Sequence, residues 1–160
     1  RAFAVLANVR NGYGVGGFST GEELEPIDEP RGLPEDMSPE LRAALEDDTD
    51  EIEEDDDQEC FWLGDHSQSW VTLKELLDYN LDAPVIVCGY VTKAAAQRYR
   101  ETGEKPRSWA ASVWANPENF KRLEWEEPIR ESAWLIPQLI EEISGLGEPE
   151  NVRLVFGFDS

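Results

Sequence analysis

Four groups of residues have types and spacings that could do chemistry. Gly12-x-Gly14-x-x-Gly17 has the letters of a dinucleotide phosphate loop, whose glycines let the backbone approach a pyrophosphate held at the N-terminus of the next helix. Asp65-His66-Ser67 sets an acid, an imidazole and a hydroxyl side by side, the three groups of a hydrolytic triad. Arg10 and Arg31 stand beside Gly-rich and Pro-rich segments, from which a guanidinium can grip an anion through two parallel hydrogen bonds. Trp125-Glu126-Glu127-Pro128-Ile129-Arg130-Glu131 brings carboxylates close in sequence, as acid–base catalysis requires.

Each group has a plainer explanation. The glycines run on into Phe18-Ser19-Thr20-Gly21, and no helix start arrives before Ser38. A surface loop whose glycines take positive φ therefore outweighs a nucleotide site. Consecutive residues point in different directions, so Asp65, His66 and Ser67 do not form a triad by adjacency, and no G-x-S-x-G elbow is present. His66 is expected to hold its loop by hydrogen bonding, with Trp62 and Trp70 packed beneath it. An arginine beside a loop more often ties it to a carboxylate or carbonyl, and Glu126-Glu127 reads as a solvated strand-to-helix corner. No catalytic residue is assigned. The ligand-binding candidates are Arg10, Asn11, Gly12, Arg31, Asp65, His66, Ser67 and Trp70, which would serve an anionic, nucleotide-like ligand if their loops meet.

No metal or other cofactor is expected. The chain has one His, no CxxC and no HxxxH. Cys88 sits in Val85-Ile86-Val87-Cys88 and reads as a small core residue, whereas Cys60 follows an acidic stretch. Two cysteines in such different settings are not a disulfide framework.

The elements that must position these residues follow from local signals. Phe3 to Val9 is apolar enough for a strand inside a sheet. Pro26 to Pro34 holds three prolines and a glycine and is extended or turned. Ser38-Pro39 opens a short helix through Leu41 and Leu45. Gly64 to Trp70 is a polar loop. Thr72 and Glu75 form a capping box, flanked by the Val71–Leu76 staple, with Leu73, Leu76 and Leu77 turned to the core. Val85 to Val91 is a strand, and Thr92 caps a helix from Lys93 to about Glu101 that Gly103 closes. Trp109 to Trp114 fits strand or loop. Asn116-Pro117 starts one helical turn, and Leu123 to Glu126 is a short strand. Ile129, Ala133, Ile136, Ile140 and Ile143 repeat at helical spacing up to Gly145, with Pro137 kinking or breaking the helix. Val152 to Phe158 closes the chain as a strand. This order predicts one α+β domain over residues 1–160, a mostly antiparallel sheet packed with three to four helices.

With 160 residues, the chain suits a single core. Acidic residues number 35 against 14 basic, for a net charge of −21. Direct nucleic-acid binding needs clustered Lys and Arg and is excluded on that ground. From Glu46 to Glu59, 11 of 14 residues are acidic and none is basic. Such a run cannot bury apolar area and is expected to be a disordered loop. Without it, 24 acidic residues remain against 14 basic, a net of −10 that must belong to the folded part. Adaptation to high salt or imitation of the DNA backbone would also produce such a surface. No stretch approaches the ~20 apolar residues of a membrane helix, and no signal-peptide pattern is present. The chain opens on Arg1 rather than Met, directly into an apolar run, as a processed or truncated product would.

Four blocks, in order, resemble an uncharacterised family of tailed-phage and prophage proteins. They are Phe3-Ala4-Val5-Leu6-Ala7-Asn8-Val9-Arg10-Asn11-Gly12, then Pro26-Ile27 with Pro30-Arg31-Gly32-Leu33-Pro34, then Gly64-Asp65-His66-Ser67-Gln68-Ser69-Trp70-Val71-Thr72-Leu73-Lys74-Glu75-Leu76-Leu77, and Asn151-Val152-Arg153-Leu154-Val155-Phe156-Gly157-Phe158-Asp159. The long acidic insert between Leu45 and Glu59 departs from that pattern. The resemblance implies a phage accessory protein in the cytoplasm of a bacterial host, and brings no activity or site residue. With the residual acidity it leads to an expected function: binding, and inhibiting or redirecting, a host protein with a basic surface, such as a defence nuclease. A small-molecule site at the Arg10, Arg31 and His66 loops, and a minor virion or assembly component, stay open beside it. The oligomeric state is not legible.

Overall fold

The computed structural model describes residues 1–46, 64 and 66–159. Residues 47–59 of the acidic run, Cys60, Phe61-Trp62-Leu63 and Asp65 lie outside the described residues.

The chain runs α1 (Ala2–Ala7), α2 (Pro39–Glu46), β1 (His66–Thr72), α3 (Leu73–Asp78), β2 (Pro84–Thr92), α4 (Lys93–Thr102), β3 (Phe120–Pro128), α5 (Ile129–Ser132), α6 (Leu135–Ile143) and β4 (Arg153–Phe158). The fold is α+β and its ladders are antiparallel, as expected. The strands pair as two ladders, β1 with β4 and β2 with β3. One core lies between them. It joins Val5 and Leu6 of α1, Val71 of β1, Leu76 of α3, Val85, Val87 and Val91 of β2, Ala96 of α4, Trp125 of β3, and Ile129, Ala133 and Ile136 at and between α5 and α6. No helix among the described residues is long and apolar enough to cross a membrane.

Local signals placed several boundaries well. Ser38 Oγ accepts from Leu41 N at 3.1 Å and Thr92 Oγ1 from Ala95 N at 3.2 Å, each satisfying a helix donor that has no intrahelical partner. Gly103 ends α4 in the left-handed region at φ 71°. The break between α5 and α6 falls at Ala133, whose φ −109° and ψ 43° are not helical. Ala133 is four residues before Pro137, where the missing N–H and the bulk of the ring act on an α-helix. The proline itself sits in the first turn of α6, a position that tolerates it.

Three expectations are corrected. Phe3 to Val9 is not a strand: Ala2–Ala7 is helical, and Asn8, left-handed at φ 58°, ends it while Val9 N bonds back to Phe3 O. Three alanines in six residues favour a helix, and a short apolar run is buried equally well in either form. Gly64 to Trp70 is not all loop, because β1 begins at His66. Ser69 and Val71 alternate inward, and the buried Ser69 hydroxyl accepts from Arg31 N at 3.1 Å, which permits a polar residue there. Leu77 does not face the core. It is 51% exposed, on the flank of a six-residue helix that buries Leu73 and Leu76.

β2 is the interior strand of its layer. Beyond β3, its other edge is covered by Glu22 N on Ile86 O, Cys88 N on Thr20 O, and a two-bond bridge between Tyr90 and Ala110. The close approach at residue 21 requires glycine. Gly21 has φ +135°, and a Cβ there would lie 2.1 Å from Ile86 O. Gly32, at φ +74°, has open space around the Cβ position. Gly21→Ala should therefore lower stability by about 2–3 kcal/mol or more, combining backbone strain with a clash, and Gly32→Ala by only about 1 kcal/mol. Urea unfolding of the two variants checks this, and equal losses would refute it.

Candidate functional site

The Glu75 carboxylate, in the first turn of α3, accepts four hydrogen bonds. Thr72 stands just before that helix with extended φ and ψ, and its Oγ1 accepts from Glu75 N at 3.1 Å. In return Glu75 Oε2 accepts from Thr72 N at 2.7 Å and from the Thr72 hydroxyl at 2.9 Å. The same carboxylate is gripped by both terminal nitrogens of Arg31, at 2.6 and 3.1 Å. The Arg31 guanidinium also reaches Asp28 Oδ2 at 2.7 Å, and its carbon lies 4.9 Å from the centre of the Trp70 ring. A second guanidinium, Arg153, stands 4.8 Å from that ring and pairs with Asp36. The hydrogen bonds from Arg31, helped by those from Thr72, hold the Glu75 carboxyl down at about 2, against the smaller upward push of its partial burial.

On the other side of Glu75 an open cleft of about 530 Å³ lies between the Pro26-Ile27 segment, α3 and the start of β2. Pro26, Ile27, Ala83, Ile129 and the Tyr79 ring supply its apolar wall, and Glu25, Glu75 and Asp78 its charges. Among the described residues no Lys or Arg lines it. Glu75 is neutralised by Arg31, and Asp78 meets Lys74 at 3.0 Å on the exposed side of α3. Glu25 is in no ion pair among the described residues. Its backbone carbonyl accepts from the Tyr79 hydroxyl at 2.8 Å, and burial together with the Glu25 charge raises the Tyr79 phenol above its ordinary value. The arrangement suits a cationic group on an aliphatic stem. The stem would lie on Ile27 and Tyr79 and the head would face Glu25 and Asp78.

The sequence candidates are divided among different settings. Arg31 and Trp70 meet, but as a brace. Asn11 is also a brace: its Oδ1 accepts from Leu24 N at 2.7 Å, and its Nδ2 donates to Leu24 O and Asn8 Oδ1. Asn8 in turn donates to Glu29 beside Asp28, which links the Gly-rich and Pro-rich segments. Gly12 takes φ 74° and its carbonyl accepts from Thr20 N, so the loop folds back on itself. It follows helix α1 rather than a strand and leads to a tight turn at Val15–Gly17 and an extended stretch, so no helix N-terminus stands ready for a pyrophosphate. Arg10 is exposed, with φ 51°. His66 Nδ1 and Ser67 Oγ lie 2.9 Å apart at an irregularity in β1, where Ser67 has φ 52°. Asp65 lies outside the described residues.

No family model, curated protein or solved structure matches the chain. The cleft itself was not visible in the sequence. Glu75 had been legible as a capping residue, but Glu25, Asp78 and Tyr79 carry no motif, and only the packing of residues 25–27 on α3 brings them together.

Glu75→Gln should cost about 1–3 kcal/mol, since it weakens charge-assisted hydrogen bonds and the cap together. Because the folded carboxyl sits at about 2, below the usual 4.5, its stabilisation is present above 4.5 and is lost as the pH falls toward 2. The wild-type urea midpoint should decline across that window more steeply than that of Glu75→Gln. Parallel declines would refute the assignment.

Proposed function

We propose that this protein is a binding protein without catalysis of its own, which engages a basic partner protein through a Lys or Arg side chain seated in the cleft of Glu25, Tyr79 and Asp78. The single observation that carries this reading is the cleft lining, with an apolar wall, carboxylates at its edge and, among the described residues, no cation. The residual acidity of the chain outside the Glu46–Glu59 run supports it, because a negative surface accelerates encounter with a basic partner. The phage or prophage origin implied by the four sequence blocks gives the setting we favour: the partner is a host protein met in the bacterial cytoplasm, and binding inhibits or redirects it. The lining gives less support to an anionic, nucleotide-like ligand, which would meet carboxylates here.

Amide NMR of the full chain tests the reading, with a lysine-rich peptide added and its glutamate counterpart as control. The lysine peptide should shift Ile27, Tyr79, Asn80 and Ala83 selectively. Glu25→Gln with Asp78→Asn should weaken it about fivefold to tenfold, the effect of two partly exposed charges. Shifts spread evenly over the surface, or equal shifts with the glutamate peptide, would sink the proposal.

A further inference from the structure

Among the described residues no strand pairs with the outer edge of β3, and the residues of that edge are complementary to themselves. In an antiparallel ladder, residues directly opposite each other turn their backbone groups either both inward or both outward. Ile86 and Cys88 bond away from β3, to the stretch around Thr20–Glu22, and Tyr90 bonds away from it to Ala110. Their ladder partners Glu126, Glu124 and Arg122 must therefore turn their N–H and C=O groups outward. Among the described residues these three make no backbone hydrogen bond outside the ladder with β2. The register with β2 is unbroken from Phe120 to Pro128, so no bulge twists the edge away.

The side chains on this edge are also poorly partnered. Arg122 is exposed, and its guanidinium donates to the Cys88 thiol at 2.9 Å. In a chain with 35 acidic residues, this guanidinium is in no ion pair among the described residues, and neither are Glu124 and Glu126. Leu123, on the opposite face, is only half-buried beside the core.

We infer that β3 pairs antiparallel with β3 of a second copy of this chain, about a two-fold axis through Leu123. In that register Leu123 faces its own copy, Arg122 faces Glu124 of the second copy, and Glu124 faces its Arg122. Both outward-turned positions then join hydrogen-bonded pairs with opposite charges, the favourable cross-strand arrangement. A register centred on Glu124 sets that carboxylate against itself and is disfavoured. The charges thus deter strands lacking the complement while admitting the chain's own. This inference is independent of the cleft, and cleft variants should not alter it.

Sedimentation equilibrium of the full chain tests it, at concentrations up to about 1 mM to cover weak, small-interface association. The wild type should form a dimer. Arg122→Glu and Glu124→Arg, each converting two attractive pairs to repulsive ones, should each weaken it about tenfold or more. An equimolar mixture of the two variants should restore dimerisation, because every cross-strand pair is again opposite in charge. Far-UV circular dichroism confirms that each variant is folded, and Glu124→Pro, which removes an outward N–H without touching the β2 ladder, should also give a monomer. A wild-type monomer throughout the range, or a dimer indifferent to both charge reversals, or variants whose mixture stays monomeric, would overturn the inference.

Discussion

Glu75 accepts four hydrogen bonds, two from Arg31 and two from Thr72, and much of the molecule's arrangement follows from that one carboxylate. It starts α3, which otherwise has only six residues to sustain itself. It anchors the Pro-rich segment through Arg31, and so sets where Pro26 and Ile27 stand relative to α3. An exposed ion pair of average geometry is worth little. This one differs because its guanidinium is held in plane by two carboxylates and a tryptophan face, so little freedom is left to lose.

The pair also explains the division of charge. Glu75, which is partly buried, and the exposed Asp28 are neutralised by Arg31 and form part of the architecture. Those left to interact, such as Glu25 and Glu124, stand on the surface. Arg31 is thus committed to the architecture, while Glu25 and Glu124 keep their charge on the surface. Total charge alone would not show that distinction.

What the sequence made legible was local. The Thr72–Glu75 box, the Thr92 cap, the Gly103 stop and the effect of Pro137 depend on neighbours within four residues, and each sits where its chemistry indicates. What stayed hidden depends on distant partners. Ser69 belongs to a strand because Arg31, 38 residues away, supplies the donor that lets its hydroxyl be buried. Arg31 and Trp70 could be singled out separately, but Glu75 lies 44 residues from Arg31, and no spacing rule joins them. Phe3 to Leu6 is apolar enough for either a helix or a strand, and its packing against β1 and the Phe158 ring, which acts beside the helix preference of the alanines, could not be read from the segment itself.

The pairing of β1 with β4 has a consequence for how the chain is made. Residues 66–72 have no ladder partner until residues 153–158 exist. During synthesis β2 and β3 can zip earlier, because only residues 93–119 separate them and a helix occupies part of that connection. Val71 and the buried Ser69, by contrast, must wait until residues 153–158 have been made. Closure of the core therefore comes later than the pairing of β2 with β3, and the protein should fold at the slower pace of long-range antiparallel pairing rather than that of its short helices.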